Sequence, residues 1–530
     1  MAIGLISDCL GEIFKCFPDD NNSLYHFYYD NNVETETEER EQALGLLCAF
    51  INQLPEESRS LLIRNGVKLP KSNTKKPMFN YLEFINTFDI VRFSLAVSFW
   101  LFRSGKHSGK TRFQCYLMEQ EIYRVIVNKC PHITKIRCVE DLMDMDSEQL
   151  PVFNFTYLLT TPNNLFSNIR EFECSAGFTT DQLFFVFSQL ITNLDTLKIQ
   201  SAPEYFDGCN GLSEFIKTQQ SLRRVEFICN DKDDDDLQYE CKEIGKALEK
   251  QVKSLTKLRI FGFQGVPFDT FRNCENLEEL SLCFVDDMPH DIEEKLTMYK
   301  FRKLTKLYIK ATSLDLSKIS KFIRHNGGKL TDIKLEIENN VDNEQSGLIL
   351  EAVANNCPNI ISFQSSIDPA NQSQLMNFCK RCKKLVNLRL NFVEEKFDAC
   401  DTYDVLNILG EYAPRNIFNF IIEGDWELLR CTLENFLKQR QSVAPFRVIY
   451  IGIIGRLKKV MIVILLIEIS MIWIFYHHER FKDSNSELDF VSKSCDYYDD
   501  WDDMNSLTKY IEEGILEIRS PLLKDSEFWF

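Results

Sequence analysis

The sequence predicts an α/β solenoid, a horseshoe of stacked strand–helix units preceded by an N-terminal helical region. Three observations predict it. A short phrase, apolar-x-x-apolar-x-apolar, returns throughout the middle of the chain. Helical patterns, with apolar residues three or four apart, fill the intervals between its copies. Several copies are entered through a cysteine, so one packing position recurs. A strand backed by a single helix cannot bury its apolar face alone, whereas stacked copies close over one another.

The phrase is clearest in Cys274-Glu-Asn-Leu277-Glu-Glu-Leu280-Ser-Leu282 and Cys382-Lys-Lys-Leu385-Val-Asn-Leu388-Arg-Leu390. Cys130-Pro-His-Ile133-Thr-Lys-Ile136 and Cys357-Pro-Asn-Ile360-Ile-Ser-Phe363 open in the same way. Without the cysteine it returns at Ile169, Leu194, Leu222, Leu255, Leu304, Leu330 and Ile417. These eleven copies start 22 to 36 residues apart, about 28 on average, which fits the leucine-rich-repeat period of roughly 20–29 residues. Between them, Leu212 to Thr218, Cys241 to Val252, Leu316 to Arg324, Leu348 to Asn355, Leu375 to Cys382, Val405 to Tyr412 and Leu433 to Gln439 read as helices. Gly327-Gly328 reads as a helix stop. The strands line the concave side of such an array. Their outward residues, Ser281 among them, would face it, and Lys257, Arg259, Glu279, Lys306, Tyr308, Asn387 and Arg389 are the expected substrate-binding positions.

Outside the repeats the chain falls into distinct stretches. Residues 1–24 contain one amphipathic helix: Ser7 or Asp8 is a suitable N-cap, and Leu10, Ile13, Phe14 and Phe17 then share a face. Residues 25–43 form an acidic linker, and 44–127 a helical cap region whose stretch from Val91 to Phe102 is apolar enough to be buried. The repeats occupy 128–446. Residues 447–480 are an apolar segment, and 481–530 an acidic tail with a short helix around Leu507 to Ile518.

Composition narrows the function. The 530 residues are 44% hydrophobic and 26% charged, and 42 are Phe, so bulky core layers are expected. A net charge of −18 repels phosphate backbones and anionic membranes, which argues against nucleic acid as a partner. Residues 1–17 contain Asp8 and Glu12 and lack a basic start followed by an apolar run, so no secretory leader is expected. A cytoplasmic or nuclear protein with mostly reduced cysteines follows. The 18 cysteines recur at a repeat position, which indicates packing instead of disulfides or metal.

The chemical motifs are weak. Ser104-Gly-Lys-His-Ser-Gly109-Lys110-Thr111 approaches a phosphate loop, but Ser104 stands at the first glycine and no βα unit surrounds it. Cys379-Lys-Arg-Cys382 has no second pair to complete a zinc site. Asp231 to Asp236 lacks the glycine and bidentate glutamate of an EF-hand. No cofactor and no enzyme activity are expected. Val460 to Tyr476 is the rival feature: 17 apolar residues approach a membrane span, although Glu468 at its centre opposes insertion. A single-pass anchor, a buried helix or strand pair, and an inserted segment are its alternative readings, and the span is the less favoured.

Leu5 to Phe17 resembles the opening of an F-box, and the Cys-x-x-Leu-x-x-Leu-x-Leu repeats resemble those of F-box leucine-rich-repeat proteins. Leu54-Pro55-Glu56-Glu57-Ser58-Arg59, Gln120-Glu121-Ile122-Tyr123 and the acidic Asp231 to Asp236 run resemble a large F-box family expanded in mycorrhizal fungi, here with a truncated or degenerate F-box. The resemblance implies a substrate-recognition subunit of a cullin-type (SCF) ubiquitin ligase. It places Leu5, Leu10, Ile13, Phe14 and Phe17 against the adaptor protein and a protein substrate on the repeats. The alternative is a repeat scaffold without ligase contact, membrane-tethered through residues 460–476.

Overall fold

The computed structural model describes residues 47–48, 50–69, 82, 85–102, 109–130, 132–139, 164–175, 181–200, 210–228, 242–262, 267–284, 287–337, 343–392, 399–417, 419–423, 430–443, 450–454, 463–467 and 471–475. The chain divides into two compact units, Met1–Val225 with Cys241–Gln251, and Glu226–Glu240 with Val252–Phe530.

The first unit begins with helix α1 (Glu56–Arg64), whose first turn holds Glu56 and Glu57, acidic residues suited to the positive end of the helix dipole. Gly66, at φ 84°, closes it. Its N–H donates to Ile63 O, and Val67 N–H donates to Leu62 O at 3.0 Å, a helix end that needs a left-handed residue at this position. Strand β1 (Thr87–Asp89), helix α2 (Ile90–Phe102) and helix α3 (Gly109–Lys129) follow. Within the apolar stretch expected to be buried, Phe93, Ser94 and Val97 are so. Strands β2 (Lys135–Cys138), β3 (Glu171–Ser175) and β4 (Thr196–Gln200) alternate with helices α4 (Asp181–Leu190) and α5 (Asn210–Thr218). Strand β5 (Arg224–Ile228) falls at the unit boundary, and helix α6 (Lys242–Glu249) belongs to the first unit. Strands β1 to β4 pair in sequence order, all parallel.

The second unit repeats the scheme. Its strands are β6 (Lys257–Phe261), β7 (Glu279–Cys283), β8 (Lys306–Ala311), β9 (Asp332–Ile337), β10 (Ser362–Ile367), β11 (Asn387–Phe392), β12 (Asn419–Glu423) and β13 (Tyr450–Ile454). Each pairs in parallel with the next. Parallel neighbours need a crossover. Helices α7 (His290–Met298), α8 (Leu316–Asn326), α9 (Asn343–Asn356), α10 (Gln372–Arg381), α11 (Ala399–Tyr412) and α12 (Arg430–Val443) supply crossovers from β7 to β13. Between β6 and β7 the connection holds a 3-10 turn, Phe268–Asn273, instead.

One hydrogen-bond device opens successive strands. A carbonyl just before one strand accepts two consecutive N–H groups of the next. Glu278 and Glu279 donate to Thr256 O, Thr305 and Lys306 to Glu278 O, and Thr331 and Asp332 to Thr305 O, all at 2.8–3.1 Å. Ile361 and Ser362 then share Thr331 O. In the first unit Thr134 and Lys135 share Asn86 O, and Arg170 and Glu171 share Thr134 O. Each of these strands is thereby started in the same register as the one before it, so the recurring phrase becomes rows of side chains.

The inward row of the second unit, Leu258, Leu280, Leu307, Ile333, Phe363, Leu388 and Phe420, is at most 1% exposed. It meets the helices: Phe363 packs on Phe378 of α10 at 4.9 Å between ring centroids, and Phe420 on Phe436 of α12 at 5.8 Å. In the first unit Phe172 meets Phe187 of α4 and Phe215 of α5. Side chains of this size each contribute roughly 1.5–3 kcal/mol on burial.

Polar residues at helix ends join one repeat to its neighbour. Asn326 accepts Phe301 N–H at 2.6 Å and donates to Tyr299 O and Phe322 O. Gln219 donates to Ile191 O and Phe215 O and accepts Leu194 N–H. Arg440, fully buried, donates to Ala413 O at 2.7 Å and Pro414 O at 3.0 Å. Helix ends leave carbonyls unpaired, and these side chains satisfy them from the next repeat.

The structure extends or sharpens the sequence reading in three places. The parallel strands extend beyond residues 128–446: β1 lies inside the expected helical cap region, and β13 inside the apolar segment. Each joins because an edge strand offers unpaired backbone groups. Within Val460 to Tyr476, strands β14 (Val463–Ile467) and β15 (Met471–Phe475) pair antiparallel in place of a helical span. Their β-branched Val463, Ile464, Ile467, Ile472 and Ile474 favour that conformation. Among the described residues no helix is long and apolar enough to cross a membrane. Gly327 does end α8, but at φ −63°, so a left-handed cap is not the reason for glycine. A Cβ there would lie 2.8 Å from Cys357 Sγ and 2.9 Å from Asn356 O, so close approach of the next repeat requires it.

Candidate interaction face

Alternation along each strand sends one set of residues to the helices and the other to the opposite face of the sheet. In the second unit the register places Lys257, Glu279, Lys306, Asp332, Ser362 and Asn387 in one outward row. Arg259, Ser281, Tyr308, Lys334, Gln364 and Arg389 form the next. All seven residues that the sequence offered as substrate-binding, Lys257, Arg259, Glu279, Lys306, Tyr308, Asn387 and Arg389, therefore stand on this face in two aligned rows.

The rows are linked by charge. Lys257 Nζ lies 2.6 Å from Glu279 Oε2, and Arg259 Nη1 3.9 Å from Glu226 Oε2. The densest cluster centres on Glu336. Tyr308 Oη donates to Glu336 Oε2 at 2.7 Å, Lys334 Nζ reaches Oε1 at 3.0 Å, and Gln364 Nε2 donates to Oε1 at 3.3 Å. Lys334 Nζ also sits 4.7 Å from the centre of the Tyr308 ring, an attractive position for a cation. Burial alone would raise the Glu336 carboxyl; the bonds from Tyr308 and Lys334, with Lys310 nearby, hold it below the ordinary carboxylate range. Burial first, and then the bond to Glu336, push the Tyr308 phenol well above its ordinary value of 10.0. The cluster is thus a fixed anionic carboxylate in a cationic and aromatic frame.

Strand β10 differs from its neighbours, because all six of its residues are buried. Its outward positions are Ser362, Gln364 and Ser366. Gln364 Oε1 and Ser366 Oγ are both buried and without a hydrogen-bond partner.

The first unit uses the corresponding face differently. Arg137 bridges Asp89 at 3.3 Å and Glu173 at 3.4 Å, and Lys135 bridges Glu171 at 2.9 Å and Glu173 at 3.2 Å. Gln200 Nε2 adds a bond to Glu173 at 3.1 Å. Burial would lower Lys135, but its two glutamates hold it above the ordinary lysine range. These charges are consumed by one another across the strands.

The sequence did not single out Asp332, Lys334, Glu336 or Gln364. The Leu330/Ile333/Leu335 phrase and the Ile360/Phe363 copy were sufficient to locate them, since their outward positions follow from the same alternation. That Glu336 would become the hub had no signal in the sequence.

The other candidates stand as follows. Leu5, Leu10, Ile13, Phe14 and Phe17 lie outside the described residues, as do Asp231 to Asp236, Ser104 and Gly105. Gly109, Lys110 and Thr111 form the start of α3. Cys130, Cys274, Cys357, Cys379 and Cys382 are buried free thiols, and burial pushes each up to about 12. Such thiols are poor nucleophiles and pack as small apolar groups. Among the described residues no group of three or more His, Cys, Asp or Glu is placed to hold a metal ion. No protein-family model matches the sequence, and no curated protein matches it.

Proposed function

We propose that the chain is a non-enzymatic leucine-rich-repeat protein, a horseshoe whose outward strand residues bind a protein substrate, and that it serves as the substrate-recognition subunit of an SCF-type ubiquitin ligase. One observation carries the binding role: parallel strands in a common register present aligned rows of charged, aromatic and amide side chains, backed by an unbroken apolar row. Such a surface is rigid before any partner arrives, which lowers the ordering cost of association. The ligase role rests on the resemblance of Leu5 to Phe17 to an F-box opening. A short amphipathic helix of that kind docks through a few buried apolar anchors.

Co-purification of the adaptor protein with the full chain tests the ligase role. The adaptor is expected to be retained by the parent chain and lost on changing Ile13 and Phe14 to Asp. Retention no greater than on an unrelated repeat protein refutes adaptor binding. In that case the chain is an interaction scaffold without ligase contact, a reading favoured by the acidic stretch at residues 30–41, so close to a helix that would have to dock.

A further inference from the structure

We infer that the edge of the second unit where helices end and strands begin is a basic docking band, and that its occupant is an acidic segment of the same chain, Asp496 to Asp503. The band is a separate surface from the outward sheet face and does not depend on the ligase reading.

Stacked loops build the band. Residues 299–305 lead into β8, 327–331 into β9, 357–361 into β10 and 382–386 into β11. Thr331 N–H donates to Thr305 O, Ile361 N–H to Thr331 O and Val386 N–H to Ile361 O, all at 2.7–2.8 Å. Neighbouring loops therefore lie side by side at the strand spacing of about 4.8 Å. They carry six cations, Lys300, Arg302, Lys303, Lys329, Lys383 and Lys384, all exposed, and no acidic residue. The last turns of α8 and α10 add exposed Arg324, Lys380 and Arg381.

The partners of these side chains do not neutralise them. Arg381 Nη1 donates to Asn355 Oδ1 at 2.5 Å, and Lys384 Nζ to Asn359 Oδ1 at 2.6 Å. Lys380 Nζ lies 4.3 Å from the centre of the Tyr412 ring. Among the described residues none of the nine is in an ion pair. The adjoining acids are Glu275, Glu278, Asp332, Glu351 and Glu411, and Asp269 beyond them is already bridged to Lys295. Nine cations stand against those five anions even with the further cations Arg272, Lys306 and Arg415 left out. The chain as a whole carries −18. Crowded like charges repel one another in the folded state, and a run of carboxylates relieves that repulsion.

Charge, chemistry and reach select the occupant, which lies outside the described residues. Asp496-Tyr-Tyr-Asp499-Asp500-Trp501-Asp502-Asp503 holds five carboxylates and no cation. Its interleaved aromatic rings suit the guanidinium planes of Arg302, Arg324 and Arg381. It belongs to the same compact unit as the band. The 20 residues from 476 to 495 separate it from β15 and extend to about 66 Å. The five strand steps from β8 to β13 span only about 24 Å. The acidic Asp231 to Asp236 run is worse placed. It leaves the C-terminal end of β5 and must return to α6 at Lys242, whereas the band lies at N-terminal strand ends. Exposed ion pairs are individually weak, so the contact is salt-sensitive and displaceable. Tethering within one chain sustains it.

Carbodiimide cross-linking of the full chain, which joins carboxylates to amines in contact, tests this. Mixing labelled and unlabelled chains separates links within one copy from links between copies. Expected are within-copy links from Asp496–Asp503 to Lys300, Lys303, Lys329, Lys383 or Lys384. Their yield should fall about fivefold or more between about 0.01 M and about 1 M salt, as the screening length shortens from about 30 Å to about 3 Å. In a chain combining Asp499→Asn, Asp500→Asn, Asp502→Asn and Asp503→Asn, Lys383 and Lys384 should acetylate about threefold faster than in the parent. Exposed Lys250 should not change. Links from the band to residues 30–41 or 231–236, links only between copies, no links, or equal acetylation in both chains overturn the proposal. Equal binding of a labelled oligothymidine or of phosphatidylserine vesicles by parent and variant also overturns it, because the band would then stand open.

Discussion

Tyr308 donates its hydroxyl to Glu336 diagonally across β8 and β9 at 2.7 Å, although the residue directly opposite Tyr308 in register is Lys334. The diagonal bond leaves Lys334 free to lie over the ring while it also reaches the carboxylate. One aromatic residue thus organises both charges, and the outward rows become a shared network instead of separate pairs. A frame of this kind holds its side chains in place before a partner binds, which is what a recognition surface needs.

Removing that hydroxyl should loosen the frame. Tyr308→Phe is expected to cost about 1.5–3 kcal/mol of unfolding free energy, the value of a hydrogen bond to a charged group. The Glu336 carboxyl is held below its ordinary 4.5. Its contribution is therefore present above the unfolded value and lost as pH falls through the folded one. The substitution should shrink that acid-side loss, as urea unfolding at pH 7 and at pH 3 would show. An equal difference from the parent at both pH values would contradict it.

Glu119 gives the opposite dependence. It is 2% exposed and accepts Ser94 Oγ at 2.6 Å. Burial raises its carboxyl from 4.5 to about 7, against the smaller lowering by Ser94. The folded state holds the proton more tightly than the unfolded chain does. Stability from this group is full below pH 4.5 and is lost as pH rises through about 7. Glu119→Gln should match the parent near pH 4 and exceed it at pH 8 by about 2–3 kcal/mol. Thermal melts across that range check it, and parallel curves would refute it.

Asn326 joins two repeats through two hydrogen bonds, from Phe301 N–H and to Tyr299 O, and makes a third to Phe322 O of its own helix. Asn326→Ala would remove the partner of the Phe301 N–H and of the Tyr299 carbonyl inside the protein. The expected loss is about 2–4 kcal/mol, with amide exchange accelerating first around Phe301. Substitution of exposed Lys321 to Ala serves as a control and should change stability by less than about 0.5 kcal/mol. A loss at Asn326 no larger than the control would show that the clasp is unimportant.

Much of the array was legible before the structure. Leu277, Leu280 and Leu282, and Leu385, Leu388 and Leu390, announce their strands because alternation is a property of a few consecutive residues. The intervening helices from Leu316 and Leu375 were equally visible. The apolar run from Val460 was not decided by hydrophobicity alone, since an apolar stretch fits a helix or a strand. Strands β1 and β13 carry the same phrase, at Ile85/Phe88/Ile90 and at Val448/Ile451/Ile453, and escaped because the first sits among helical patterns and the second in a continuous apolar run, where alternation does not stand out.

The sequence by itself determined the strand–helix repetition and which side chains leave the sheet on its outward face, because both follow from spacing along the chain. Only the tertiary structure decided that Glu336 gathers Tyr308, Lys334 and Gln364, that Asn326 closes on the preceding repeat, and that Gln364 Oε1 and Ser366 Oγ stay unpaired. Those outcomes depend on register between segments about 28 residues apart and on which neighbour a side chain meets across a strand, and neither is encoded in the period that makes the repeats visible.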